Sequence, residues 1–207
     1  GATATNSVSL GSYNKASGYQ SAAVGGFGNV SNGNSSFATG YQSYANGDFC
    51  FASGLYSKAA IYGTTAHASG YFSGIGDAQG CKYILRSDTT DATAEAMTTN
   101  NSTAAATNQI VAASDTCITF HGTITAMQNG AQAHAGWEIK GMLVNDGGTT
   151  TLALGNVSDM AATNASSWAV ALSADDTNNA LKIQVTGEAA HNIRWVANVQ
   201  TAEVTYA

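Results

Sequence analysis

Val8-Ser9-Leu10-Gly11, Lys15-Ala16-Ser17-Gly18 and Ala22-Ala23-Val24-Gly25 fall seven residues apart. After one inserted residue the beat resumes as Val30-Ser31-Asn32-Gly33, Phe37-Ala38-Thr39-Gly40, Tyr44-Ala45-Asn46-Gly47 and Phe51-Ala52-Ser53-Gly54. It slips by two residues to Gly63 and returns with His67-Ala68-Ser69-Gly70. Self-similarity at a fixed period marks a stack of like turns rather than a globule. Two such phrases make a coil of about 14 residues, whose extended perimeter is at most about 46 Å. That leaves room for two short strands and a thin interior, which we assign to Ala16, Ala23, Ala38, Ala45, Ala52, Ala59 and Ala68. Glycine at each corner is expected to supply a positive φ or a close backbone approach. The departures from the period near residues 26–32 and 55–62 are expected to bulge out as loops.

An alanine interior has no room for rings. Tyr13, Tyr19, Phe27, Tyr41, Tyr56 and Tyr71 each follow a glycine by one or two residues, so they are expected to point outward. A thin single-chain roll buries too little apolar surface to stand alone. A closed symmetric oligomer that covers these rings is the economical solution, and they are assigned to its interface.

Composition shifts near Gly80. Residues 1–80 hold 15 of the 23 glycines but only four charged side chains, Lys15, Asp48, Lys58 and Asp77, whereas the remainder carries the other 16 charges and eight glycines. Two domains are therefore expected, 1–80 and 81–207. The chain has no proline, which suits strands that must keep every ladder donor. A net charge of −6 without a basic cluster argues against nucleic acid or an anionic membrane as partner. No run of 18 apolar residues occurs, so no membrane-spanning helix is expected. The chain opens on Gly1-Ala2-Thr3, and is read as a piece of something longer. Cys50, Cys81 and Cys117 have no metal-ligand spacing and are expected to be thiols rather than a disulfide framework.

From residue 81 on, alternation with period two dominates. Ile118, Phe120, Gly122, Ile124 and Ala126 share one face; Trp137, Ile139, Gly141 and Leu143 form another, as do Leu181, Ile183 and Val185, and Ile193, Trp195, Ala197 and Val199. Shorter strands are expected at 83–86, 110–113, 151–154, 168–172 and 202–206. Asn129-Gly130, Asn145-Asp146-Gly147-Gly148 and Asp175 to Asn179 read as turns, with Asp146-Gly147 joining a hairpin. Together they predict an antiparallel, jelly-roll-like sandwich. A short helix is expected over Thr90–Thr98 and an exposed loop over Thr98–Asn108.

Asn6-Ser7-Val8-Ser9-Leu10-Gly11, Ala16-Ser17-Gly18 and Ser21-Ala22-Ala23-Val24-Gly25 resemble the head repeats of YadA-like trimeric adhesins over residues 6–73. The resemblance implies a left-handed parallel β-roll of about five 14-residue coils, three of which pack side by side as a homotrimer. Such repeats occur in bacterial surface adhesins and in bacteriophage tail fibres. Lys82-Tyr83-Ile84-Leu85-Arg86, the stretch Ala180 to Gly187, and Thr201 to Tyr206 resemble, in pattern, the C-terminal tip domains of phage tail fibres and receptor-binding proteins. No coiled-coil heptad follows the repeats, which favours the phage reading.

No nucleophile motif is present. His67, His121, His134 and His191 are dispersed, and no carboxylate-rich loop has the spacing of a metal site. No cofactor, metal or catalytic residue is expected, and the chain is read as a binding protein, not an enzyme. Sugars stack on exposed aromatics and hydrogen-bond to flanking polar side chains. Trp168, at a loop-to-strand junction, is nominated for glycan contact with Asn164, Asn129, His134 and Asp146; Trp137 and Trp195 are assigned to the core.

The reading is a trimeric phage tail fibre that attaches the virion to a bacterial surface polysaccharide or outer-membrane protein. The alternatives are the head of a bacterial trimeric adhesin, at the cell surface, and a tailspike polysaccharide depolymerase.

Overall fold

The computed structural model describes residues 1–130 and 132–206. Ala131, next to the expected Asn129-Gly130 turn, and Ala207 lie outside the described residues. The described chain is all-β and divides into two units. One comprises Gly1–Lys82 with the segment from Ala202 onward; the other comprises Tyr83–Thr201.

The first unit is a parallel β-solenoid of about four coils. Its strands are β1 (Val8–Ser12), β2 (Lys15–Ala16), β3 (Ala22–Phe27), β4 (Val30–Ser31), β5 (Phe37–Tyr41), β6 (Tyr44–Ala45), β7 (Phe51–Leu55), β8 (Lys58–Ala59) and β9 (Thr65–Ser69). Odd-numbered strands stack in the order β1-β3-β5-β7-β9 and even-numbered ones in the order β2-β4-β6-β8. Ala23, Ala38, Ala52 and Ala66 line up on one sheet, Ala16, Ser31, Ala45 and Ala59 on the other. The seven alanines assigned to the interior are all buried.

The two departures from the period resolve differently from expectation. The extra residue near 26 is absorbed by a register shift between Ala23 and Phe27, a bulge rather than a loop. Residues 55–62 are no insertion: Lys58–Ala59 pairs in register with Tyr44–Ala45. Gly63 (φ 70°) occupies the corner that Phe49 (φ 58°) fills one coil earlier.

The periodic glycines meet both needs: Gly11 (φ 117°), Gly25 (φ 74°), Gly40 (φ 111°), Gly54 (φ 98°) and Gly63 (φ 70°) take a positive φ, while Gly18, Gly33 and Gly47 owe their place to close approach alone. Further left-handed corners are held by Tyr13, Gln42 and Tyr56 and by Gln20, Ser35 and Phe49. A Cβ on Gly18 would lie well inside van der Waals contact distance of the Gly33 carbonyl oxygen, and one on Gly33 would clash with that of Gly47 in the same way. Backbone of one coil thus rests directly on backbone of the next.

A column of polar side chains closes one inner corner. Asn14 Nδ2 donates to the carbonyls of Leu10 (2.7 Å) and Gly25 (3.0 Å), while its Oδ1 accepts the Asn29 N–H (2.9 Å). Asn29 repeats the pattern one coil on, donating to Gly25 and Gly40 at 2.7 and 2.8 Å and accepting from Ser43 N–H at 3.0 Å. Buried backbone groups at the corner are thereby paired, as burial demands.

After β9 the solenoid is capped by side chains. Gln79 Oε1 accepts the Lys58 N–H at 2.8 Å and its Nε2 donates to the Lys58 carbonyl at 3.1 Å and to Glu203 Oε2 at 3.0 Å. The amide stands in for the next strand beside β8. Asp77 accepts backbone N–H bonds from Phe72, Ser73 and Gly74 at 2.6–3.2 Å. Burial alone would raise its pKa, but the Ser73, Gly74 and Phe72 donors outweigh that and hold its carboxyl below the usual aspartate value.

The second unit is built from β10 (Ala78–Thr89), β11 (Ala94–Ala96), β12 (Ile110–Val111), β13 (Thr116–Gln128), β14 (His134–Asp146), β15 (Thr149–Thr163), β16 (Ala169–Asp175), β17 (Ala180–Thr186) and β18 (Ile193–Thr205). β10 and β18 contribute residues to both units. One sheet has the order β10-β18-β13-β14-β15; in the other, β17 pairs with β16 and with β11 and β12. The alternating residues expected inside are buried, including Ile118, Phe120, Ile124, Trp137, Ile139, Leu143, Leu181, Ile183, Val185 and Trp195. Asp146 pairs with Thr149 across a two-residue turn of Gly147 (φ 56°) and Gly148 (φ 96°), the mirror-image geometry a hairpin favours.

The expected helix over Thr90–Thr98 does not form. Ala94–Ala96 pairs instead with Thr186, Val185 and Gln184 of β17; β-branched threonines favour that outcome. Thr98–Asn108 is not a freely exposed loop either, since Thr98, Thr99 and Asn108 are buried. No disulfide links the cysteines; Cys50 and Cys81 are buried and Cys117 is half-buried.

Two outcomes test this account. Gly33→Ala should cost about 1–3 kcal/mol by overpacking, whereas Gly70→Ala, where a Cβ meets nothing within 4 Å, should stay within about 0.5 kcal/mol; urea unfolding of both variants is the measurement. The depressed Asp77 pKa means its carboxylate stabilises the fold above the unfolded value near about 4 and loses that contribution as pH falls through the folded value. Asp77→Asn should therefore flatten the acid limb of a Tm-versus-pH curve.

Candidate functional site

The second unit carries three adjoining grooves, of about 490, 570 and 460 Å³, and Asp88 lines all three. They form where β10 and β18 lie side by side and the segment after β11 folds across β10. Alternation along β10 turns Arg86 and Asp88 outward and Leu85 and Ser87 inward. On β18 it does the same for Arg194 and Val196 against Trp195. The first groove is lined by Arg86, Asp88, Asn100, Asn101, Arg194 and Val196 among others. The second continues past Arg194 to Asn192, Asn129 and Met127. The third runs past Asn101 to Glu95, Lys182 and Gln184.

Hydrogen bonds hold this site in shape. Arg86 and Thr98 exchange backbone bonds at 2.9 and 3.1 Å, which ties the 98–108 segment to β10. Asn108 Nδ2 then bonds Asn100 Oδ1 at 2.9 Å and the Thr103 carbonyl at 3.0 Å, and its Oδ1 accepts the Ala105 N–H at 2.8 Å. Asn101 Nδ2 donates to Asp88 Oδ1 at 2.8 Å, and Ser87 Oγ donates to Glu95 Oε2 at 3.1 Å. From inside the core, Trp195 Nε1 donates to Thr89 Oγ1 at 3.0 Å and fixes β18 against β10. Side chains positioned this way lose little freedom when a ligand arrives.

Two carboxylates, Asp88 and Glu95, thus share one groove, each with a hydrogen-bond donor. Other acids are engaged elsewhere. The His121 ring, 2.8 Å from Glu138, holds that carboxyl below its usual range, with Lys140 adding to the effect. At Asp175, burial pushes upward but bonds from Asn178 prevail, and the carboxyl is held low. Among the described residues no cluster of three or more His, Cys, Asp or Glu side chains has metal-binding geometry.

Of the residues nominated from sequence, Asn129 alone lines one of these grooves. Trp168 is placed in the core at 5% exposure, packed on Trp195 at 5.6 Å, which in turn stacks on Trp137 at 5.4 Å. Its indole face is covered, so it offers nothing for a sugar to stack on. Asn164 (φ 54°) and Asp146 are exposed at turns away from these grooves, and His134 Nδ1 lies 2.8 Å from the Gln132 carbonyl. Arg86, Asp88, Glu95, Asn100, Asn101 and Arg194 were not nominated. The signal available was that Arg86 and Arg194 are the two arginines of the chain.

On the first unit, Tyr13, Phe27, Tyr41, Tyr56 and Tyr71 line up in a ladder with ring centroids 5.1, 5.4, 5.8 and 3.9 Å apart. Tyr19 stands apart, exposed, with its N–H bonded to Asn34 Oδ1. The Phe27–Tyr41 and Tyr56–Tyr71 pairs are stacked, so these rings spend faces on each other, while the other two contacts are tilted. A sugar needs a face, so the ladder is suited to packing rather than to sugar stacking.

No protein-family model matches the chain, and no curated protein matches it. Among solved structures it is similar to the tailspike protein of Acinetobacter baumannii bacteriophage Fri1, a capsular polysaccharide depolymerase, at 11% identity and a TM-score of 0.33, over 86% of this chain and 39% of that one. It is also similar to the tailspike protein of Acinetobacter phage vB_ApiP_P1, at 9% identity and a TM-score of 0.28, over 97% of this chain and 47% of that one. Its structural neighbours are phage tailspikes. The chain spans less than half of their length. The expectation that the chain is not an enzyme is overturned by this comparison, since the first neighbour is a depolymerase. That expectation rested on missing linear motifs, a test blind to carboxylates that only folding brings to one groove.

The placement of Trp168 has a direct check. Trp168→Ala should lower stability by about 3–5 kcal/mol, as expected for a buried aromatic, measured by chemical denaturation. A variant as stable as the parent would return Trp168 to the surface.

Proposed function

We propose that this chain is a receptor-binding piece of a bacteriophage tail, of the tailspike kind, that engages polysaccharide on the bacterial surface. The observation that carries the reading is the run of three adjoining grooves around Asp88, lined by pre-positioned Asn and Arg side chains. A polysaccharide presents hydroxyls at regular intervals along an extended chain, and consecutive polar subsites match that repeat. The location that follows is the virion tail.

In this proposal the solenoid is a left-handed roll of the YadA head type, and three copies pack side by side. The ladder from Tyr13 to Tyr71, with Tyr19 beside it, meets the neighbouring copy, while the two sheets of the second unit face each other as a sandwich. Trimerisation turns three weak grooves into one avid binder, because engagement of the first raises the effective concentration of the others.

A second reading, cleavage of the bound glycan, is favoured by Asp88 and Glu95 in one groove. Glycoside hydrolysis needs two carboxyl groups, one to protonate the leaving oxygen and one to attack the sugar or activate water. Both line the same polar groove.

The test is incubation with surface polysaccharide purified from susceptible bacteria, reading both retention and new reducing ends. We expect retention of the polymer. Any reducing ends formed should fall by about 100-fold or more in Asp88→Asn or Glu95→Gln. A protein that retains no bacterial polysaccharide would sink the reading. Sedimentation should give a trimer; a monomer would remove the avidity argument.

A further inference from the structure

We infer that the groove between β10 and β18 takes a carboxylate-bearing sugar unit, held by Arg86 and Arg194; this rests on the reading of these grooves as a polysaccharide site. The chain has a net charge of −6 and only seven cationic side chains. Its two arginines are on neighbouring strands and line the same groove, and Lys182 lines the adjoining one. With acids in excess, neutralising each arginine with a nearby carboxylate would be simple. Yet among the described residues the ion pairs are His121–Glu138 and His191–Glu188. Asp88 shares the groove, but its Oδ1 is taken by Asn101 at 2.8 Å. Two guanidinium groups that line one groove, with no ion-pair partner among the described residues, suit an anionic ligand.

The geometry of the groups selects the anion. A guanidinium offers parallel N–H donors that match a planar carboxylate in two-point contact. Asp88 remains beside the arginines, and it repels a phosphomonoester of charge near −2 more strongly than a carboxylate of charge −1. Asn100 and Asn101, with amide donors and acceptors, suit the hydroxyls that flank a sugar carboxylate. The class of ligand is therefore an acidic polysaccharide with uronate-type or similar units, and the arginines act as binding residues.

The probe is the bacterial surface polysaccharide that the protein retains, used native, after chemical reduction of its carboxyl groups to alcohols, and after removal of its phosphates. Arg86→Gln and Arg194→Gln are compared with Lys140→Gln, a surface change outside the grooves, with thermal melts to confirm that each variant folds. We expect carboxyl reduction and each arginine substitution to weaken binding about 10-fold or more, as for a lost hydrogen bond to a charged group, with Lys140→Gln unchanged. Binding that survives carboxyl reduction, or that is lost only when phosphates are removed, overturns the carboxylate assignment while leaving the polysaccharide reading intact. Binding unchanged in both arginine variants also overturns it. A protein that retains no polysaccharide at all overturns both readings.

Discussion

Backbone resting on backbone is the constraint on which the first unit depends. Parallel pairing sets coils about 4.8 Å apart, and at that spacing the positions of Gly18, Gly33 and Gly40 leave no room for a Cβ. The same thinness dictates an interior of alanine and serine, with asparagine where a corner needs both donor and acceptor. Asn14 and Asn29 each satisfy carbonyls from their own coil and the next. Hydrogen bonding thus supplies much of the cohesion that hydrophobic volume supplies in an ordinary domain.

A surplus of apolar side chains outside the roll follows from an interior too narrow to hold rings. Val8, Leu10, Tyr13, Phe49 and Phe72 are all more than half exposed. The stacked ladder covers part of its own area. What remains is the kind of surface that association buries, and this joins the architecture to the proposed trimer.

The second unit follows the opposite logic. Its core is wide enough for three tryptophans, and Trp195 is its hinge between packing and site: the ring stacks on Trp137, touches Trp168, and sends its one N–H to Thr89. Because that bond fixes β18 against β10, the polar face of the same two strands inherits a defined geometry. The site is therefore a by-product of how the core is closed, with Asn100 and Asn101 delivered by a segment pinned at Arg86 and Thr98.

How much was legible in the sequence follows from these differences. Period-seven repeats and period-two alternation are local properties, so the all-β class, the stacked coils, the buried alanines and the inward faces around Ile124 and Trp195 could be read directly. Local patterns misled where pairing partners decide. The segment around Glu95 became a strand because β17 was there to receive it, and Trp168 went inside because Trp195 offered a surface. The periodic glycines were legible as necessary, but only the coils showed which take a positive φ, such as Gly11, Gly25, Gly40 and Gly54, and which are there for close approach alone, such as Gly18 and Gly33. The groove was illegible for the same reason: Arg86, Glu95, Asn101 and Arg194 are scattered along the chain and share no motif. Sequence determined the elements, since hydrophobic periodicity acts between near neighbours. Tertiary structure alone decided the site, since its side chains meet only through strand pairing between distant segments.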